Sequence, residues 1–223
     1  MEFPIGEQLE NAYADFMRQT QHPRTGYWGP WYRMGGKLFI VQDLSFTFHH
    51  VNYRAGNVEN WNRLAETTLR IRDKIYPNGW RPDESTSFSN HHNYDVVQIF
   101  FRGWPYMSQD LKKQARAAML DMLRWCLTES VEGDGFGDDD PFEAMYFGVR
   151  FLDRIGYWDD GKRFWSREPL PTLEQRRTPL ALAKALLGRL RQLGAWSERG
   201  ETLLTILEMA VWLGERAVAE PQV

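Results

Sequence analysis

Cysteine is nearly absent, with Cys126 as the single example. One thiol excludes an internal disulfide framework and a multi-cysteine zinc site. Its setting, Trp125-Cys126-Leu127, lies inside a helical pattern and predicts a buried, inert side chain. Excess positive charge is absent too. The net charge is −3 and no basic stripe is interleaved with aromatics, so general nucleic-acid binding is not expected. Arg176-Arg177 reads as a solvated helix start. No run of about 18 apolar residues occurs, so no membrane-spanning helix is expected. The opening Met1-Glu2-Phe3-Pro4-Ile5 lacks the basic and apolar regions of a signal peptide, which makes a cytoplasmic location the expectation. Phosphate-cradling loops, Gly-x-Gly-x-x-Gly before a helix, Gly-x-Ser-x-Gly and His-Glu-x-x-His are all missing, which removes the commonest nucleotide and hydrolase sites. No cofactor and no metal are expected.

Aromatics, by contrast, are abundant. They form 14% of the 223 residues and include ten tryptophans. Such rings pack helices thickly or wall a cavity for sugars and apolar ligands. A glycine-aromatic phrase recurs as Gly26-Tyr27-Trp28-Gly29, Asn78-Gly79-Trp80 and Asp134-Gly135-Phe136-Gly137. The aromatics Trp28, Trp80 and Phe136 are 52 and 56 positions apart. A repeat of that length is a pair of helices with its linkers. Helical patterns cover Glu7 to Thr20, Lys37 to Val51, Val58 to Tyr76, Tyr94 to Trp104 behind an Asn93 cap, Asp110 to Ser130, and Pro141 to about Ile155 behind an Asp140 cap. Within Lys37 to Val51 the Phe46-x-Phe48 alternation also fits a strand, although length favours a helix. Two C-terminal helices span Thr172 to Leu193 and Gly200 to Ala217, the last with Glu201, Glu208 and Glu215 along its wet edge.

Amphipathic helices thus alternate with helices apolar almost all round. The first kind suits an outer layer and the second an inner one, as in an all-α single domain over 1–223 built as an α/α toroid or an incomplete one. The three turns and the segments beginning near Lys37, Asn93 and Pro141 resemble the α/α-toroid superfamily, which includes terpenoid cyclases, protein prenyltransferases and six-hairpin glycosidase-like enzymes. The likeness spans about residues 7 to 155 and is one of fold. It implies a central cavity lined by the inner helices and the loops before them. The Asp-x-Asp-Asp acid of class II terpene cyclases is not matched, because Gly137 precedes Asp138-Asp139-Asp140. The chain also has room for about four hairpins where a closed toroid has six.

On that architecture three polar clusters fall beside the repeated turns: Lys37 with Gln42 and Asp43, His91-His92 with Asp95, and Asp134, Asp138, Asp139, Asp140 and Glu143. Asp95, Asp138 and Asp139, with His91 or His92, are the candidates for general acid and base work. Trp28, Trp80 and Phe136 are candidates for stacking on a ligand ring, with Lys37, Asp43, Asp134 and Glu143 as polar contacts. Each has a plainer role: Asp140 as a helix cap, the aromatics as turn wedges, and His49-His50 as satisfied structural histidines. The expected function is binding or conversion of a carbohydrate or terpenoid-like ligand. The alternative is a helical-repeat scaffold for a protein partner or a second copy of the chain.

Overall fold

A computed structural model describes residues 6–54, 58–84, 88–133, 135–137, 140–168, 170, 178–194 and 197–219. The chain is predominantly helical. Its elements are α1 (Glu7–Thr20), β1 (Trp31–Met34), β2 (Lys37–Ile40), α2 (Leu44–Arg54), α3 (Trp61–Arg70), α4 (Asn90–Gly103), α5 (Gln109–Thr128), β3 (Val131–Glu132), β4 (Gly135–Phe136), α6 (Pro141–Arg154), α7 (Pro179–Leu193) and α8 (Glu198–Ala219). Among the described residues no helix is long and apolar enough to cross a membrane. By contacts the chain forms two compact units, one of residues 1–87 and 98–115, the other of residues 88–97 and 116–223.

In the first unit the Gly26 turn is locked between α1 and α3. Trp28 is buried, and its indole Nε1 donates to the Met17 carbonyl at 2.9 Å. The Tyr27 hydroxyl lies 2.9 Å from Thr68 Oγ1 on α3. Gly26 itself has φ +71°, and a Cβ there would come within 2.6 Å of the Leu64 backbone nitrogen. Only glycine satisfies both the left-handed conformation and the close approach. Leu44, Leu64, Ile71, Trp80 and Phe100 complete this core.

The expected helix from Lys37 to Val51 is a correction. Its first part is a strand: β2 pairs antiparallel with β1, from Trp31 opposite Ile40 to Met34 opposite Lys37. Gly35 and Gly36, at φ +55° and +74°, supply the two-residue turn whose left-handed geometry matches strand twist. Only from Leu44 does the chain become helical, where Asp43 Oδ1 accepts from the Phe46 N–H at 2.7 Å. Phe46 and Phe48 therefore lie on a helix, not on a strand. The third pattern is also shorter than expected, since α3 ends at Arg70 and irregular backbone leads to the Trp80 turn. Asn93 is not a cap. The α4 helix starts three residues earlier and leaves Asn93 fully buried in its second turn.

In the second unit Asp140 caps α6 as expected, its Oδ1 accepting from the N–H groups of Phe142 and Glu143 at 3.0 Å. The short β3–β4 ribbon sets the Phe136 ring against α6, where a Cβ on Gly148 would meet it at 2.5 Å. Cys126 is buried and inert as expected, since burial pushes its thiol up to about 12. Helices α7 and α8 pack together. Lys184 pairs with Glu215 at 2.7 Å and Arg191 with Glu208 at 3.3 Å, an order that makes the two helices antiparallel. The expected start of α7 at Thr172 lies outside the described residues, and the helix begins at Pro179 behind a Thr178 cap.

Candidate functional site

The expected site residues divide by environment. Trp28, Trp80 and Phe136 are buried at 1%, 0% and 6% exposure, so their rings face the core as wedges under the turns. Lys37 stands exposed on β2, and Asp43 is engaged as the α2 cap. Both belong to the first unit, whereas His91, His92, Asp95 and Glu143 belong to the second. Asp134, Asp138 and Asp139 lie outside the described residues. Glu143 is exposed in the first turn of α6. Phe136 and Glu132, together with Gly135, Met145 and Arg189, line a cleft of about 380 Å³ beside the third turn.

The histidine pair is brought together with Asp95 by α4 itself. His91 and Asp95 are one helical turn apart, so their side chains share a face. His91 Nε2 lies 4.0 Å from Asp95 Oδ2. Asp95 is fully buried, while the His91 side chain keeps 39% of its surface in solvent. The His92 ring lies 5.3 Å from that of His91, and the residue is 8% exposed. The helix also buries Asn90, Asn93 and Gln98. The Asn90 amide donates to Ser130 Oγ at 3.0 Å, but among the described residues neither amide atom of Asn93 has a hydrogen-bond partner. Burying amides and a carboxylate works against folding unless they are hydrogen-bonded, so the neighbours of this stripe decide what it costs.

On the exposed side of His91, α6 adds a continuous aromatic and cationic surface. The Phe147 ring stacks on His91 with centroids 4.0 Å apart and planes 15° from parallel. Tyr146 meets Phe147 edge to face at 5.1 Å. Arg150 Nη2 donates to Tyr94 Oη at 2.6 Å, and its guanidinium lies 5.8 Å from the centre of the Tyr146 ring. A second guanidinium, from Arg199 on α8, lies 5.1 Å from that same ring. Among the described residues neither arginine has a carboxylate within 4.0 Å. Two guanidiniums beside one ring give this surface a concentrated positive charge of the kind that attracts oxyanions.

Tyr94, Tyr146, Phe147, Arg150 and Arg199 were not among the residues expected from the sequence. The available signal was spacing, because Tyr146 and Phe147 precede Arg150 by four and three positions and so share its helix face. Arg199 carried no such signal, since α8 reaches Tyr146 only through tertiary packing. Among the described residues no three His, Cys, Asp or Glu side chains converge in a way that could hold a metal ion.

No family model matches the chain, and no curated protein and no solved structure matches it.

Proposed function

We propose that this chain binds a small anionic ring compound of the acidic-sugar class on the surface made by α4, α6 and α8. The observation that carries the reading is the pair of guanidiniums, Arg150 and Arg199, 5.8 Å and 5.1 Å from the centre of the Tyr146 ring, neither in a close ion pair among the described residues. A carboxylate on the ligand fits this pair, since arginine forks recognise planar oxyanions. Tyr146 and Phe147, both half-buried, offer a ring face on which a sugar stacks. His91 stacks on Phe147 at this platform with the buried Asp95 carboxylate 4.0 Å from its Nε2, the imidazole–carboxylate combination that acid-base chemistry uses. The arrangement supports binding first and acid-base chemistry second.

In this reading the helices form part of an α/α toroid, and the polar stripe of α4 faces the ligand side of an inner helix. The unbroken burial of His92 to Phe100 supports an inner position for α4. The test is thermal shift and titration calorimetry with galacturonate and glucuronate, against galactose and glucose. A ligand that binds only the folded chain raises its stability by mass action. The uronates are expected to raise the melting temperature and the neutral sugars not. Arg150→Gln and Arg199→Gln are each expected to remove the shift while circular dichroism stays unchanged. Equal shifts with neutral sugars, or full shifts in both variants, would overturn the proposal.

A further inference from the structure

The hairpin of β1 and β2 lies in the first unit, and its composition is unusual for an exposed element. Trp31, Tyr32, Met34, Leu38 and Phe39 are 47%, 54%, 71%, 58% and 44% exposed. Strand alternation places Trp31 and Arg33 on one face with Ile40 and Leu38, and Tyr32 and Met34 on the other with Phe39 and Lys37. Neither face covers a core. Val41 and Phe46, at 37% and 46% exposure, extend the apolar surface toward α2. Monomeric proteins rarely leave a large contiguous apolar surface in water without using it.

Charge decides what the hairpin meets. Between Gly26 and Gln42 there is no acidic residue, while Arg33 and Lys37 flank the tip, in a chain whose net charge is −3. The ladder also orders the side chains along the hairpin. Met34, Lys37 and Leu38 sit nearest the Gly35-Gly36 tip, and Trp31 sits at the base. The rung next to the tip holds Met34 and Lys37, the next holds Leu38 and Arg33, and Tyr32, Phe39 and Trp31 follow toward the base, so apolar, basic and aromatic side chains are offered together, the mixture that suits a bilayer interface. Four residues of strand reach about 13 Å, enough to cross the headgroup layer but not the hydrocarbon core. Each face carries one basic residue, Arg33 on one and Lys37 on the other, so stacking either face on the same face of a second copy adds like charge to the contact and opposes self-association.

From these observations we infer that the β1–β2 hairpin docks the protein on a membrane surface rich in anionic lipid. The hairpin lies in the interface, with Met34 and Leu38 turned to the acyl side and the long Arg33 and Lys37 side chains, on the same rungs, reaching back to the phosphates and carboxylates. Attachment through two basic residues is salt-sensitive, and removing both weakens it by roughly thirtyfold.

The experiment is flotation of the full chain with vesicles of phosphatidylcholine alone and of phosphatidylcholine with phosphatidylserine, at low and high salt. The wild type is expected to float with the phosphatidylserine vesicles at low salt and to be released at high salt. Met34→Glu with Leu38→Glu is expected to abolish flotation. Arg33→Gln with Lys37→Gln is expected to reduce it and remove the salt dependence. All four positions are exposed, so circular dichroism and melting temperature should match the wild type and exclude misfolding as the cause. Equal flotation on both vesicle types, or none on either, overturns the inference. So does a dimer in sedimentation equilibrium that Met34→Glu with Leu38→Glu dissolves, because the occupant is then a second copy.

Discussion

His50 shows how burial turns a single side chain into a pH-dependent term. It sits on α2 between Tyr13, whose hydroxyl lies 2.9 Å from Nδ1, and the rings of Trp28 and Phe46. Burial pushes its pKa down to about 4 from the ordinary 6.5, and neighbouring His49 adds to the effect. Between these values the unfolded chain binds the proton and the folded chain resists it. Stability from neutral His50 is therefore complete above about pH 6.5 and is lost as the pH falls toward 4. Unfolding free energy measured by denaturant across that window should fall more steeply for the wild type than for His50→Gln. Parallel curves would remove His50 as the source. Asn93 is the opposite case, since it carries no charge but has two amide atoms without a partner among the described residues, in a fully buried site. Asn93→Leu removes that penalty and is expected to stabilise the chain by about 1 to 2 kcal/mol in the same measurement. A loss of stability would mean that the amide is satisfied in solution.

Among the elements, α6 organises most of the second unit. Asp140 and Pro141 start it, Phe136 packs on its Gly148, and Phe147 and Arg150 present the candidate site. The Asp140 carboxylate satisfies two N–H groups that the helix start would otherwise leave open. Asp140→Ala should cost about 1 kcal/mol in denaturant unfolding. Because Phe142 and Glu143 open the same helix that carries Arg150, uronate binding in this variant should weaken no further than the loss of folded protein explains. The start of α6 was legible in the sequence because an acidic cap followed by proline is a local signal. The hairpin was also signalled locally, by Gly35-Gly36 between runs of strand-forming residues, but the apolar content of Lys37 to Val51 outweighed it. The true start of α4 is not legible locally, because its opening residues are polar, and Asn90, His92 and Asn93 among them are buried only through packing with the rest of the fold.

For the molecule as a whole, stability and surface chemistry separate. The buried tryptophans, the Leu64 and Ile71 cluster and the Phe151 and Leu152 cluster hold the cores, whereas the β1–β2 hairpin contributes apolar surface to solvent. Met34→Glu with Leu38→Glu should therefore leave the unfolding free energy within about 0.5 kcal/mol of the wild type, as expected of exposed positions away from any core. A larger loss would show that the hairpin packs on the chain in solution.

The sequence by itself determined the helical character, the end of α1, the cap of α6 and the burial of Cys126, because each follows from spacing, capping or an apolar setting within one segment. It also marked Trp28, Trp80 and Phe136, but their burial shows that the repeated turns serve as wedges in the core. Only the tertiary structure decided where the chemistry gathers. Arg199 reaches Tyr146 across a helix-helix contact, and Phe147 covers His91 from a helix more than forty residues away. Such meetings depend on side chains from distant segments sharing one surface, and no local period records which segments will do so.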